Sequence, residues 1–351
     1  MSSIIGVQTV FPEHRYSQKD AMGLIKTMWP DHGAVIDRLT ETSGVRFKNL
    51  VLPLEKYRHL GGFEDRNKIY IESMTKLLHK ALTQLQEKHQ FSWDDVMILT
   101  STTVTGVAVP TLDARLMNLL PFSKNLIRLP LFGVGCLGGV AGLNRTHDML
   151  KAQPKKLAIL IAAEACSLTF QFNDITMSNM VACSLFGDGA AAVLMAGDDH
   201  PLRQKGKLRI QTYQNYFYPQ TERIMGWDML DSGFKVVLSG DVAQIVNEHV
   251  GDNASEFLSL NQLSSSEIVN IISHPGGPKV LRALEKALNK EESALKASWD
   301  SLGENGNISS VSVLDVLRRN LEDSLLKPGP TLALAMGPAF NSEMTLMRAE
   351  F

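Results

Sequence analysis

Leu131-Phe132-Gly133-Val134-Gly135-Cys136-Leu137-Gly138-Gly139-Val140 is the stretch on which the reading of this chain turns. An apolar, strand-like run enters a glycine-rich turn, meets a cysteine and continues into a segment of helical character. That layout delivers a thiol to the start of a helix. Unpaired backbone N–H groups and the helix dipole favour negative charge there. A thiol so placed is expected to lose its proton more readily, and the thiolate is the nucleophile. The glycines permit a sharp turn and a close approach of substrate to the backbone. The same segment is also compatible with a plain core cysteine, since free cysteine is among the most buried residue types.

Outward from Cys136, short apolar runs predict buried strands over 96–100, 157–163, 190–195, 268–273 and 332–336. Between them, helical spacing marks 68–88, 111–120, 137–151, 279–288 and 311–326. Strands alternating with helices predict an α/β layered fold. The polar turn Gly197-Asp198-Asp199-His200-Pro201-Leu202 divides the chain into residues 1–200 and 201–351. The halves share a pattern. The first places Cys136 at a helix entrance behind a glycine. The second places Asn307 there, in Asn305-Gly306-Asn307-Ile308-Ser309-Ser310. Two duplicated halves facing each other would bring those entrances to one site, although glycine before a helix is common enough to recur by chance.

The 351 residues are 44% hydrophobic and 21% charged, ordinary for a soluble globular protein, and suffice for two packed domains. A formal net charge of -2 implies no strong field of one sign and no nucleic-acid partner. Cys136, Cys166 and Cys183 are the three cysteines, with no Cys-x-x-Cys and no close Cys/His cluster for zinc. The first residues lack the features of a signal peptide, and no apolar run is long enough to span a bilayer. A reduced, cytoplasmic, soluble protein is expected.

Two further side chains join the cysteine. His274 follows the apolar run 268–273 and enters Pro275-Gly276-Gly277-Pro278. From there an imidazole can pair with a thiolate or polarise a carbonyl, or it can anchor a turn. Asn307 carries a neutral amide that stabilises an oxyanion without giving up a proton, or simply caps a helix. Together, Cys136, His274 and Asn307 suit acyl capture as a thioester followed by carbon–carbon bond formation.

With these residues in place, the chain resembles the type III polyketide synthases, the chalcone-synthase-like branch of the thiolase superfamily. The resemblance rests on Gly135-Cys136-Leu137-Gly138-Gly139, Leu185-Phe186-Gly187-Asp188-Gly189-Ala190-Ala191, His274-Pro275-Gly276-Gly277-Pro278 and Gly306-Asn307-Ile308-Ser309-Ser310. Gly226-Trp227-Asp228 and the run 233–239 look like the bacterial alkylpyrone synthases. The resemblance implies a five-layer α/β/α/β/α thiolase fold. It implies Cys136 as acyl carrier, with His274 and Asn307 promoting decarboxylation and holding the enolate. It implies Phe186 as a gate, Thr169 and Ser309 as cavity-lining residues, Arg46 and Lys48 where coenzyme A phosphates are gripped, and Lys279 close to the mouth of the coenzyme A tunnel. The family uses acyl-CoA and malonyl-CoA, places no metal or organic cofactor in its site, and forms homodimers. The loop at residues 107–110 would reach the neighbouring subunit.

Two departures stand out. A second gating phenylalanine of the family falls on Val236, which should open the passage to long acyl starters; Phe234 would compensate if the register slipped. Ala339 follows Pro338 where plant-type enzymes have glycine, so that loop is expected to differ in shape. The predicted reaction joins a long-chain fatty acyl starter to malonyl-CoA and closes an alkylpyrone or alkylresorcinol ring. A ketoacyl synthase III-like initiation enzyme is the alternative, disfavoured by Pro275-Gly276-Gly277. A thiolase lacks support because no cysteine follows Cys183. A papain-like protease lacks its tryptophan-flanked cysteine signature. A non-catalytic scaffold would not need the trio.

Overall fold

The computed structural model describes residues 1–323 and 325–351. The first half of the chain supplies β1 (Ser2–Val10), β2 (Val96–Thr103), β3 (Ile127–Phe132), β4 (Leu157–Ala165) and β5 (Asp188–Gly197) to the main sheet. The second half supplies β6 (Leu208–Phe217), β7 (Asn270–Ser273), β8 (Gly329–Gly337) and β9 (Asn341–Ala349). The strand order is β7-β8-β9-β6-β1-β5-β4-β2-β3. β4 and β5 are buried along their whole length, as continuous apolar strands covered on both faces must be.

The pairing repeats itself. β2 runs parallel to β4, which pairs antiparallel with β5, which pairs antiparallel with β1. In the same way β7 runs parallel to β8, then β9 and β6 follow antiparallel. The halves meet at a short seam, where Ser2, Ser3 and Ile4 of β1 pair with Ile210, Arg209 and Leu208 of β6.

Among the helices are α1 (Phe63–His89), α2 (Gly138–Lys151), α3 (Met177–Leu185), α4 (Gly251–Leu260), α5 (Pro278–Ala287) and α6 (Ser310–Glu322). α2 precedes β4, and α6 precedes β8, so each half carries an equivalent helix. Both are central. Val140 and Leu143 of α2 and Val313 and Leu317 of α6 share one core with Ala158 of the first half and Ala333 of the second. Met74 and Leu78 of α1 cover the outer face of the first half, against Leu99 and Ile159. Phe257 of α4 and Leu284 of α5 cover the outer face of the second, against Ile271 and Leu334. The result is helix, sheet, two central helices, sheet, helices, the five-layer thiolase-like arrangement.

The central helices touch backbone to backbone. A Cβ on Gly139 would lie 2.3 Å from Val313 Cγ1 and 2.6 Å from the Ser310 carbonyl oxygen. Glycine is the residue that allows this approach. Ala339 sits at φ 55°, the left-handed conformation, which costs a residue with a Cβ about 1–2 kcal/mol. The expected helix over 111–120 contracts to Leu112–Leu116. The expected run to residue 326 ends as helix at Glu322, and Ser324 lies outside the described residues.

Candidate active site

Cys136 occupies a short 3₁₀ turn, Gly135–Leu137, that feeds directly into α2. Gly135 has φ +55°, and a Cβ there would strike Pro338 Cδ at 2.6 Å. The turn therefore fits closely against the loop after β8. The Cys136 thiol donates to Ser309 Oγ at 3.6 Å. The expected acidity is corrected: burial pushes this thiol up to about 12, opposed by the Ser309 hydrogen bond and reinforced by the charge of Glu164. Even in a partly buried site a helix-terminus field is worth at most about 2 kcal/mol, or about one and a half pH units, so the rise from 9.0 to about 12 that burial brings outweighs it. At neutral pH the sulfur therefore carries its proton.

His274 ends β7, its backbone N–H donating to the Leu334 carbonyl at 2.9 Å. Burial lowers its imidazole to about 3, so the ring is neutral at physiological pH. Nδ1 is buried without a hydrogen-bond partner. An unpaired acceptor inside a protein is better tolerated than an unpaired donor. The proton is therefore assigned to Nε2, which leaves an N–H for the cavity that the ring lines.

Asn307 is held on four sides. Its N–H donates to the Leu185 carbonyl at 2.8 Å, and its carbonyl accepts from Gly187 N–H at 3.0 Å. Its side-chain Oδ1 accepts from Ser309 N–H at 2.8 Å, and Nδ2 donates to the Gly276 carbonyl at 3.2 Å. These bonds orient the carboxamide and leave one Nδ2 hydrogen free. Ser309 has φ 47° and ψ −125°, a strained conformation for a residue with a Cβ. Its strain places both the N–H on Asn307 and the hydroxyl near Cys136.

Cys136, His274 and Asn307 line one cavity of about 1040 Å³, together with Phe186, Val236 and Ser309. The hairpin Met225–Leu230 and Gly233–Leu238 forms a wall in which Val236 pairs with Trp227. The register does not slip: Phe234 packs against Phe63 and Trp227 and does not line the cavity among the described residues. Lys279 is exposed and lines the cavity, joined by exposed Arg38 and Arg282. Neither arginine was singled out in the sequence, because Arg38 lies far away along the chain and Arg282 looks like any solvated position on the amphipathic α5.

Three expected binding residues lie elsewhere. Arg46 is exposed and pairs with Glu304 at 2.6 Å, away from the cavity walls. Lys48 is buried rather than presented to solvent, and donates to the Cys183 carbonyl. Thr169 donates to the Cys166 carbonyl at 2.7 Å and, like Lys48, lines a separate pocket of about 70 Å³. Phe186 is shared by both spaces. For Lys48 the physical reason is the pleat of the short strand Phe47–Leu50, which turns it inward while Phe47 faces solvent. Glu164, also unforeseen, is buried behind the site and accepts from Ser310 Oγ at 2.6 Å and Thr105 Oγ1 at 2.7 Å. It ties the end of β4 to the start of α6, one half to the other. Among the described residues no group of His, Cys, Asp and Glu is arranged to hold a metal ion, and no helix is long and apolar enough to cross a membrane.

A paired thiol, imidazole N–H and amide N–H around one cavity can capture an acyl group and stabilise an oxyanion. Comparison with known proteins agrees with that chemistry. Residues 4–199 match the N-terminal domain of chalcone and stilbene synthases, and residues 209–350 match the C-terminal domain. A 1,3,6,8-tetrahydroxynaphthalene synthase of Streptomyces peucetius subsp. caesius is 40% identical over 99% of this chain and 93% of its own length. A putative chalcone synthase of Bacillus subtilis is 35% identical over 100% of this chain and 99% of its own. The crystal structure of 1,3,6,8-tetrahydroxynaphthalene synthase from Streptomyces coelicolor, a bacterial type III polyketide synthase, superposes with a TM-score of 0.93 at 28% identity, covering 99% of each chain. The protein described here belongs to the chalcone and stilbene synthase family and is a condensing acyltransferase of the type III polyketide synthase kind.

Proposed function

We propose that the enzyme joins an acyl-CoA starter to malonyl-CoA by decarboxylative Claisen condensation and then cyclises the product. The observation that carries this reading is the convergence of Cys136, His274 and Asn307, from both halves, on one cavity. Cys136 sulfur attacks the starter thioester carbonyl; the C–S bond to coenzyme A breaks, and coenzyme A leaves as its thiol with the proton that Cys136 gives up. The His274 Nε2–H and the free Asn307 Nδ2–H donate to the oxygen that becomes negative. Malonyl-CoA then loses carbon dioxide, and the same two donors hold the resulting enolate. The enolate carbon attacks the Cys136 thioester, releasing the sulfur for another round. Neutral donors suit this role, because they stabilise an enolate without quenching it as a protonated imidazole would. No metal or organic cofactor enters any step.

The starter is a long-chain fatty acyl group and the product an alkylpyrone or alkylresorcinol. The apolar hairpin wall, with valine at position 236 beside Trp227, supports this. A second reading, a short starter leading to a polyhydroxylated aromatic product, is supported by the names of relatives: tetrahydroxynaphthalene synthase, and phloroglucinol synthase of Pseudomonas fluorescens at 29% identity. Incubation with malonyl-CoA and a ladder of thioesters from acetyl-CoA to palmitoyl-CoA, plus coumaroyl-CoA, separates these by product mass. Preference for long fatty acyl groups supports the first. Efficient use of coumaroyl-CoA with none of fatty acyl-CoA overturns it, and products from malonyl-CoA alone favour the second. The enzyme acts as a homodimer in a reduced, cytoplasmic setting; the free state of Cys136, Cys166 and Cys183 and the 90% exposure of Val109 on the loop at residues 107–110 support this.

A further inference from the structure

The pocket behind Phe186 takes no part in the chemistry above, yet it holds an unusual group. Lys48 is only 2% exposed. Its ammonium has three donors, and its one hydrogen-bond acceptor among the described residues is the Cys183 carbonyl oxygen. A lysine is almost never fully buried unless its charge is paired. Asp188 does not supply that pair. Its Oδ1 accepts from Ser167 N–H at 2.8 Å, and its Oδ2 accepts from Val51 N–H at 2.8 Å and from the Ser167 hydroxyl. Tyr57 is engaged too, its hydroxyl 2.6 Å from Ser167 Oγ. Much of the remaining wall is apolar, with Leu24, Ile25 and Leu50 among its residues. Burial lowers Lys48 to about 8, which leaves it largely protonated at neutral pH. Two ammonium donors thus remain for whatever fills the pocket.

The pocket adjoins the catalytic space. Phe186 lines both. A chain held on Cys136 enters that pocket only if the Phe186 ring, the wall shared by the two spaces, moves aside. We propose, resting on the acyl-loading reaction above, that Lys48 and this pocket bind an anionic oxygen at the far end of the chain carried by Cys136. About 70 Å³ suits a carboxylate or one keto-methylene unit, not a long alkyl tail. Two sources offer that oxygen: the carboxylate of an ω-carboxyacyl starter, or an enolised β-diketone of the elongating chain.

The test compares matched thioesters, adipoyl-CoA against hexanoyl-CoA, and malonyl-CoA as sole substrate, in wild type, Lys48→Met and Lys48→Arg. If the carboxylate is the ligand, the ratio of kcat/KM for adipoyl-CoA over hexanoyl-CoA falls about tenfold to a hundredfold in Lys48→Met, as for loss of a charged hydrogen bond, and Lys48→Arg restores part of it. If the enolate is the ligand, that ratio is flat and Lys48→Met releases shorter products from malonyl-CoA. Replacing a buried charge by an apolar residue is commonly tolerated; if the methionine variant does not fold, Lys48→Gln, which keeps donors and drops the charge, takes its place. An unchanged ratio together with unchanged product length, in a variant whose Cys136 still takes up acyl groups, overturns the subsite and leaves the condensing reaction standing. Failure of wild-type Cys136 to take up any acyl group overturns both.

Discussion

Ser309, His274 and Cys136 form a site that is neutral at rest, and each has a measurable signature. The Ser309 hydroxyl is the side-chain contact that eases ionisation of the half-buried Cys136 thiol. Ser309→Ala should move the pH profile of Cys136 alkylation by iodoacetamide upward by about one pH unit. A profile that stays put would show that the 3.6 Å contact carries no weight. His274 links the site to acid stability. Its folded pKa, about 3, lies below the ordinary 6.5, so the unfolded chain binds a proton that the folded chain refuses. Stability therefore falls as pH drops through 6.5 and continues to fall until about 3. The loss from this one group reaches about 2 kcal/mol by pH 5. Urea unfolding of wild type and His274→Gln at pH 7 and pH 5 should show a smaller acid loss in the variant. His147, lowered to about 4 by its own burial, has the same sign and remains in both proteins, so the difference isolates His274.

At the scale of elements, the site depends on two helices held at backbone contact and on one hairpin. Gly139→Ala would put a methyl against Val313 and the Ser310 carbonyl, where no flexible side chain alone can yield. It should cost about 2 kcal/mol in chemical denaturation. It should also lower kcat, because Cys136 and Asn307 stand just ahead of α2 and α6. Val236→Phe would place a ring beside Trp227 on the cavity wall. Its kcat/KM should drop about tenfold more for palmitoyl-CoA than for acetyl-CoA; equal losses would remove Val236 from the acyl path. Much of this was legible in the chain. The apolar runs behind β2, β4, β5, β7 and β8 stand out because strands covered on both faces need continuous hydrophobic residues. β9 does not, because Ser342, Glu343 and Thr345 are buried there in polar contacts such as Thr345 Oγ1 to Asn144 Oδ1 at 2.9 Å. Cys136, His274 and Asn307 were readable because each stands at a helix entrance or strand end close to glycine. The inward turn of Lys48 was not, because which face of a four-residue strand points inward is decided by the layers around it.

The whole molecule is a duplication folded onto itself. The pairing of β2, β4, β5 and β1 repeats in β7, β8, β9 and β6, and the two equivalent helices meet at the centre. That symmetry is why residues far apart in sequence share one cavity, and why Glu164 can fasten the halves through Ser310. The proposed homodimer belongs to this scale. Val109→Asp, a charge on the exposed tip at residues 107–110, should weaken self-association in sedimentation velocity; an unaltered oligomer would place the interface elsewhere. The account as a whole stands on capture of the starter by one sulfur. Intact-protein and peptide mass spectrometry after brief exposure to an acyl-CoA should find a single acyl group, attached to Cys136, and none on Cys136→Ala. Acyl transfer to a different residue, or condensation that proceeds undiminished in Cys136→Ala, would contradict it.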